Sequence, residues 1–321
     1  MTPAKILIVK PSSLGDVVHA LPAVARIRRQ FPNAHIAWVI NRSLASLLRH
    51  SPVADELILF DRERPVHFVP LLWQIRRGYF DTVVDLQGLL RSAVMSWAAG
   101  APRRIGLSDA REGARLFYNE VVAVSRAHAV ARYLRAADHL GCANGTVEFP
   151  LGIRSQPREG WIAIHPFARW PSKHWGDDRF AELVRRLPRE RVVVTGTLAE
   201  RERAGKIAPG CRNEAGNTDL YQLAELYARC AVLVTNDSGP MHIAAAVGTP
   251  VVALFGATDP GLTGPYGPQH MVLRAGVSCS PCFRRRCRHW PRMECMKKLS
   301  VEDVLRAVSG LLAVSGVSFE R

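Results

Sequence analysis

The feature that most restricts this chain is an alternation. Short apolar runs rich in β-branched residues are each followed by a polar turn and then by a stretch with helical apolar spacing. Residues 5–10 (KILIVK) form the first such run. It has the character of a strand buried on both faces of a parallel sheet. A loop follows at 11–16. Residues 17–30 then place Val17, Val18, Leu21, Val24, Ala25 and Ile27 at helical spacing, with Arg28 and Arg29 at the end that suits the helix dipole. Further strands are expected at 35–40, 56–60, 81–86 and 103–107. Helices are expected at 44–49, from 87 onward and over 128–140. A polar segment with Pro and Gly at 152–160 (GIRSQPREG) reads as a linker.

A second series then begins. Strands are expected at 161–165, 191–195, 231–234 and 251–255. Helices are expected at 177–187, 199–207, 219–229 and 242–247, with a last one from a capping-box-like start at Ser300 to Val314. Strands alternating with helices mean parallel, doubly wound sheets. The chain of 321 residues is long enough for two such domains. The expected fold class is α/β with two Rossmann-like domains, residues 1–155 and 156–321, the last helix being free to pack back on the first.

Composition narrows the function classes. Hydrophobic residues make up 48% and charged residues 22%, a globular balance. No apolar run is long enough to span a membrane. Lys10 and Asp16 stand where a signal peptide would need an apolar core, so a cytoplasmic location is expected. The net charge of +15 and the pI of about 10.1 favour an anionic partner: nucleic acid, a phosphorylated substrate or an anionic membrane surface. The chain lacks the basic-aromatic patterning and zinc-finger spacing of nucleic-acid modules, which leaves a nucleic-acid-binding protein as a distant alternative.

Residues 235–267 (TNDSGPMHIAAAVGTPVVALFGATDPGLTGPYG) carry the densest signal. A strand ends in Asn236, Asp237, Ser238 and Gly239, and a small-residue helix starts there. A helix N-terminus at a strand's carboxyl end suits a phosphate. Spacing alone allows an ordinary N-cap by Asp237 or Ser238 equally well. Residues 66–78 (VHFVPLLWQIRRG) are apolar, with Arg62, Arg64, Arg76 and Arg77 around them. A core helix weakened by Pro70 is expected, and the arginines remain candidates for an anionic contact. Cys279, Cys282, Cys287 and Cys295 form a C-x2-C-x4-C-x7-C cluster. Four thiolates could wrap a structural Zn or Fe ion, although the spacing is short for a zinc ribbon.

No GxGxxG follows the first strand, which argues against a dinucleotide dehydrogenase. Three stretches together point elsewhere: KPSSLGDVVHALP at 10–22, DLQGLLRSA at 85–93, and NDSGPMHIAAA with FGATDP within 236–260. In this combination the chain resembles the family 9 glycosyltransferases, the ADP-heptose:lipopolysaccharide heptosyltransferases. AREGARLFYN at 110–119 is most similar to the heptosyltransferase I branch, which adds the first heptose to Kdo. The Cys-rich segment is more similar to heptosyltransferase II and other branches.

The resemblance implies a GT-B fold, with an acceptor-binding first domain and a nucleotide-sugar-binding second domain facing across a cleft. It implies inverting chemistry that requires no metal or cofactor. The implied partners are ADP-heptose, Kdo-lipid A or another inner-core acceptor, and the anionic inner face of the inner membrane, where the protein would be peripheral. Asp16 matches the family's catalytic aspartate, although by itself it would read as a helix cap. Lys10 and Ser13 in the same loop, and Arg111 and His128 further on, match acceptor-side positions. In HPFARWPSKHW, Lys173 matches the lysine that meets the donor phosphate, with Ala168 and Arg169 beside it. Ala168 stands where a hydroxyl is common, which implies one hydrogen bond fewer to the phosphate. Glu200 matches an acid near the ribose. Backbone N–H groups at Ser238 and Gly239 would hold the diphosphate, Asp237 the heptose hydroxyls, and His242 the phosphate or sugar.

Overall fold

The computed structural model describes residues 3–142, 145–154 and 156–314. The chain divides into two compact units, Met1–Gly152 and Ile153–Arg321. Ser155, the expected last residue of the first domain, lies outside the described residues.

The first unit runs β1 (Lys5–Val9), α1 (Leu14–Gln30), β2 (His35–Asn41), β3 (Glu56–Phe60), α2 (Phe68–Arg77), β4 (Thr82–Asp85), α3 (Leu90–Ala98), β5 (Arg103–Leu107), β6 (Glu120–Val122) and α4 (Ala129–His139). The second runs β7 (Trp161–His165), α5 (Asp177–Arg185), β8 (Val192–Val194), α6 (Arg201–Ile207), β9 (Arg212–Asn213), α7 (Leu220–Arg229), β10 (Cys230–Asn236), α8 (Gly239–Ala246), β11 (Val251–Phe255), α9 (Pro260–Thr263), β12 (Met271–Arg274), α10 (Glu294–Lys297) and α11 (Val301–Val314).

Every strand pair is parallel. The sheets order as β3-β2-β1-β4-β5-β6 and β12-β11-β10-β7-β8-β9. Counted within its own unit, each follows the same doubly wound order, with the direction of winding reversing between β1 and β4 and between β7 and β10. Ligands of such sheets sit at these reversal points, beyond the strands' carboxyl ends.

Period-two alternation explains the layers. In the first unit Leu7 and Val9 of β1 face a core shared with Leu71 and Ile75 of α2 and Met95 of α3. Ile6 and Ile8 point the other way, where α1 and α4 pack side by side. In the second unit Ile162, Ile164, Val232 and Val234 meet Phe180 of α5, Ile207 of α6 and Val304, Val308 and Leu312 of α11. The last helix thus buries its apolar face in the second unit's own core.

Three expectations change. The helix at 44–49 is a 3-10 helix over Arg42–Leu48, where Asn41 caps the chain by accepting from the Ser43 N–H. Strands β6, β9 and β12 were not expected, because they are short and lack a long apolar run. The segment around Pro70 is only half a core helix. Pro70 falls in the first turn of α2, where its missing N–H costs nothing. Leu71 and Ile75 are buried, but Val66, Val69 and Trp73 stand in solvent.

Trp38, on the face of β2 opposite Ala37 and Val39, ties the first sheet to its carboxyl edge. Its ring is wholly buried and its indole N–H donates to the Lys10 carbonyl at 3.2 Å. Trp38→Ala is expected to lower the unfolding free energy of the first unit by about 3–5 kcal/mol, read as a lower urea midpoint.

Candidate active site

Each reversal point gathers charged side chains, and each is described by itself. In the first unit β1 delivers Lys10 and the following loop delivers Ser13 and Asp16. Ser13 is the N-cap of α1 and Asp16 its third residue. Asp16 Oδ2 accepts the Ser13 backbone N–H at 3.1 Å and the Ser13 hydroxyl at 2.7 Å. Oδ1 accepts the Tyr133 hydroxyl at 3.3 Å. The helix cap and the residue expected as the base are therefore one carboxylate. Lys10 is only 2% exposed, with its ammonium 4.9 Å from the Tyr133 ring centroid.

Burial lowers the Lys10 pKa, against the opposing pull of Asp16 and Asp85. For Asp16, burial alone would raise the pKa. The Lys10 charge, the Ser13 hydrogen bonds and His19 outweigh it and hold the carboxyl well below the usual range. Asp16 is thus ionised at neutral pH, with a positive partner beside it. His19, one turn along α1, meets His128 edge to face at 5.0 Å, and His128 Nδ1 caps α4 by accepting from the Val130 N–H. Lys10, Ser13, Asp16 and His128 are therefore brought to one neighbourhood.

The loop after β4 braces this cluster. Asp85 accepts the N–H groups of Gln87 and Gly88 at 2.8 and 3.1 Å and the Tyr118 hydroxyl at 2.7 Å. Gln87 in turn accepts the Ser12 N–H at 3.3 Å. Gly88 has φ +66°, and a Cβ there would lie 3.2 Å from Ala110, so the close approach of the 108–119 loop needs glycine. Arg111 is exposed on that loop, anchored by its N–H to the Gly88 carbonyl, and lines an open hollow with Arg115 and Leu116. Among the described residues no contact joins its guanidinium to the Asp16 cluster.

In the second unit the loop after β7 meets the turn after β10. Lys173 Nζ lies 2.6 Å from Asp237 Oδ2 and 4.7 Å from the Trp170 ring centroid. Asp237 is 5% exposed and also accepts the Thr258 hydroxyl. Asn236 bridges the two loops, donating to the Pro166 carbonyl at 2.7 Å and accepting the Trp175 N–H at 3.1 Å.

Helix α8 starts at this point. Pro240 occupies its second position and has no N–H, and Met241 N–H is bonded to the Ser238 carbonyl. Among the described residues the Ser238 and Gly239 N–H groups donate to nothing. A helix end with two free donors beside a lysine is an anion site. His242 is buried on α8, one turn further. Ala168 and exposed Arg169 stay on the loop, where the Ala168 carbonyl pairs with His174. Glu200 Oε2 caps its turn by accepting the N–H and hydroxyl of Thr197, both at 2.8 Å.

The four clustered cysteines line one cavity of about 370 Å³, together with Ser172, His289 and Glu294. Among the described residues no three His, Cys, Asp or Glu side chains are disposed to hold a metal ion. The loop that carries them grips the Lys173 segment, since Ser172 donates its N–H to the Arg285 carbonyl and its hydroxyl to the Arg284 carbonyl.

Residues 70–291 match the family model of glycosyltransferase family 9 (heptosyltransferase). The chain belongs to that family. The lipopolysaccharide heptosyltransferase 1 of Pseudomonas aeruginosa is 32% identical over 320 residues, covering 90% of this chain and 89% of that protein. The structure of the Escherichia coli ADP-heptose lipopolysaccharide heptosyltransferase II superposes with a TM-score of 0.80 at 25% identity, over 97% of this chain and 99% of that one. The E. coli heptosyltransferase WaaC with ADP gives a TM-score of 0.79 at 25% identity, over 96% and 99%. This glycosyltransferase thus has the expected fold class, two Rossmann-like units of the GT-B type.

The sequence reading gave no role to Tyr133, Asn236, Trp170 or Thr258, although the last three lie within the stretches it singled out. Tyr133 had a usable signal: a tyrosine on the buried stripe of a helix requires a partner for its hydroxyl.

His165, at the carboxyl end of β7, gives a pH test. Burial pushes its pKa down to about 4, against smaller opposing effects of Glu200 and Thr195. The unfolded chain therefore binds a proton that the folded one refuses between its ordinary value of about 6.5 and about 4. Stability of the second unit is expected to fall as pH drops through that window. His165→Gln is expected to flatten this part of a urea-midpoint-versus-pH curve.

Proposed function

We propose that this glycosyltransferase transfers L-glycero-D-manno-heptose from ADP-heptose to the Kdo or inner-core sugar of a lipopolysaccharide acceptor, with inversion. The observation that carries the reading is the Lys173–Asp237 pair, 2.6 Å apart beside the free N–H groups at the start of α8. A diphosphate is the ligand class that such a cation and helix end suit. The relatives named above include one with ADP bound and others named for the heptose transfer.

In this mechanism the second unit holds the donor and the first the acceptor. The acceptor hydroxyl oxygen forms a bond to the anomeric carbon. The bond from that carbon to the diphosphate oxygen breaks, its electron pair leaves on ADP, and the hydroxyl proton passes to Asp16. Lys173 and the Ser238 and Gly239 N–H groups balance the leaving charge. Taking up the lysine frees Asp237 for the heptose hydroxyls. Glu200 keeps Oε1 for the ribose, while Arg169, Ala168 and His242 line the donor. Ser13, Arg111 and His128 serve the acceptor, whose carboxylates would attract Lys10. Drawing that ammonium away removes the main charge that depresses Asp16, so the base strengthens when the acceptor is in place.

No metal enters these steps, and zinc or iron at the four cysteines would be structural. The reading places the protein in the cytoplasm, on the inner face of the inner membrane. Heptosyltransferase I chemistry, with Kdo-terminated lipid A as acceptor, is the form proposed.

Purified protein with ADP-heptose and Kdo-terminated lipid A is expected to release ADP, and a heptose-terminated acceptor to react poorly. Asp16→Ala should lower kcat on the order of 10²–10⁴-fold, and unchanged turnover would remove the base assignment. Lys173→Ala should lower kcat/KM for ADP-heptose on the order of 10²–10³-fold. Lys10→Met leaves Asp16 buried without its counter-charge, so its pKa rises. The acid limb of the pH profile of kcat/KM should then move to higher pH, and a limb that stays in place would separate Lys10 from Asp16.

A further inference from the structure

Helices α2 and α3 lie side by side on one face of the first sheet. Arg76 of α2 donates to the Ala99 carbonyl at the end of α3, and the Arg91 guanidinium of α3 stands over Phe60, whose ring meets Phe68 of α2. Both helices bury one side in the same core, through Leu71, Ile75 and Met95. Their opposite sides are unusual. Trp73 is 62% and Trp97 63% exposed, Val69 and Leu90 are also in solvent, and Val66, in the turn just before α2, is 77% exposed. A helix that buries one apolar side and exposes another does not have the profile of a surface helix in water. Large exposed apolar side chains grouped in this way mark an interaction surface.

The charges around the patch are of one predominant sign. Between Asp61 and Tyr79 the chain has four arginines against two acids, and Arg91 adds a fifth cation on α3. Arg64 leans on Asp61, but Arg62 and Arg77 have no partner among the described residues. Tryptophan with valine inside a ring of arginine is the composition of an element that rests in a membrane interface. The basic rim selects anionic headgroups. No helix of the described residues is long and apolar enough to cross a membrane, so the contact would be superficial.

Orientation supports the same partner. All strands of a parallel sheet end at one edge, and α2 and α3 begin there, after β3 and β4. The N-terminal residues Val66, Val69 and Leu90 therefore lie toward the edge that carries Lys10 and Asp16. A lipid surface touching them would bring an acceptor sugar anchored in it to the level of the base.

We propose that the outer face of α2, of the turn that precedes it and of α3, with Val66, Val69, Trp73 and Trp97 as the inserted side chains and Arg62, Arg77 and Arg91 as the headgroup contacts, docks this protein on an anionic bilayer. The proposal rests on the reading of a lipid-anchored acceptor given above, and its test separates the two.

The test uses the full chain and its variants Val69→Glu/Trp73→Glu and Arg62→Gln/Arg77→Gln, all checked for a native circular dichroism spectrum. Flotation is measured with vesicles of phosphatidylcholine and phosphatidylglycerol at roughly three-to-one, and with phosphatidylcholine alone. Wild type is expected to float with the mixed vesicles and not with the neutral ones. Each double variant should lose on the order of tenfold or more in partition. With a deacylated, soluble Kdo acceptor the variants should match wild type, and with acceptor embedded in mixed vesicles they should fall behind. Wild type that ignores mixed vesicles, or variants that bind them as well as wild type, would overturn the docking face while leaving the transferase reading intact. So would a dimer in sedimentation that Val69→Glu/Trp73→Glu dissociates without any effect on flotation, because the face would then belong to a second copy. Loss of activity on the soluble acceptor in wild type would instead count against the transferase reading.

Discussion

A parallel sheet brings every loop that follows a strand to the same edge, and this chain uses that constraint twice. The twelve strands among the described residues all pair in parallel, in two sheets of identical winding order. At each reversal of winding two neighbouring loops diverge and leave a crevice. Lys10 and Asp16 follow β1, and the bracing Asp85 loop follows β4. Lys173 follows β7, and Asp237 follows β10.

Burying charge at those edges is costly unless it is compensated. Each crevice compensates differently. In the first unit one ammonium serves two carboxylates, and burial moves the lysine and the aspartates in the directions that favour their neutral forms. Asp16 escapes that trend because Lys10, the Ser13 hydrogen bonds and His19 together favour its anion. In the second unit the pair is direct, and Thr258 occupies the same oxygen of Asp237 that meets Lys173. The first arrangement suits proton transfer, since its balance shifts when one charge moves. The second suits exchange of one anion for another at a fixed lysine.

The alternation of periods two and 3.6 made the fold legible, and the longer central strands were clear because they are buried on both faces. Strands β6, β9 and β12 were not, since two to four residues at a sheet edge carry no periodic signal. For the site, motif residues at strand ends such as Asp16 and Asp237 could be named, but their partners could not. Nothing in the spacing of Tyr133 or Thr258 shows that each would reach a carboxylate, because those contacts span 117 and 21 positions. The exposed side of α2 was misjudged for a related reason. Apolar residues on both sides of a helix read as core, and only the packing of α3 beside it shows which side the core takes.

Ser172 connects the cysteine-bearing loop to the lysine next to it through two hydrogen bonds, both accepted by main-chain carbonyls of Arg284 and Arg285. Carbonyls are supplied by any amino acid. The identity of the side chains at 284 and 285 is therefore immaterial to the loop's hold on the Lys173 segment. Gly256 is less free: a methyl group there would strike the sulfurs of Cys295 and Met296 at under 3 Å, so the sheet edge and the cysteine loop must drift together.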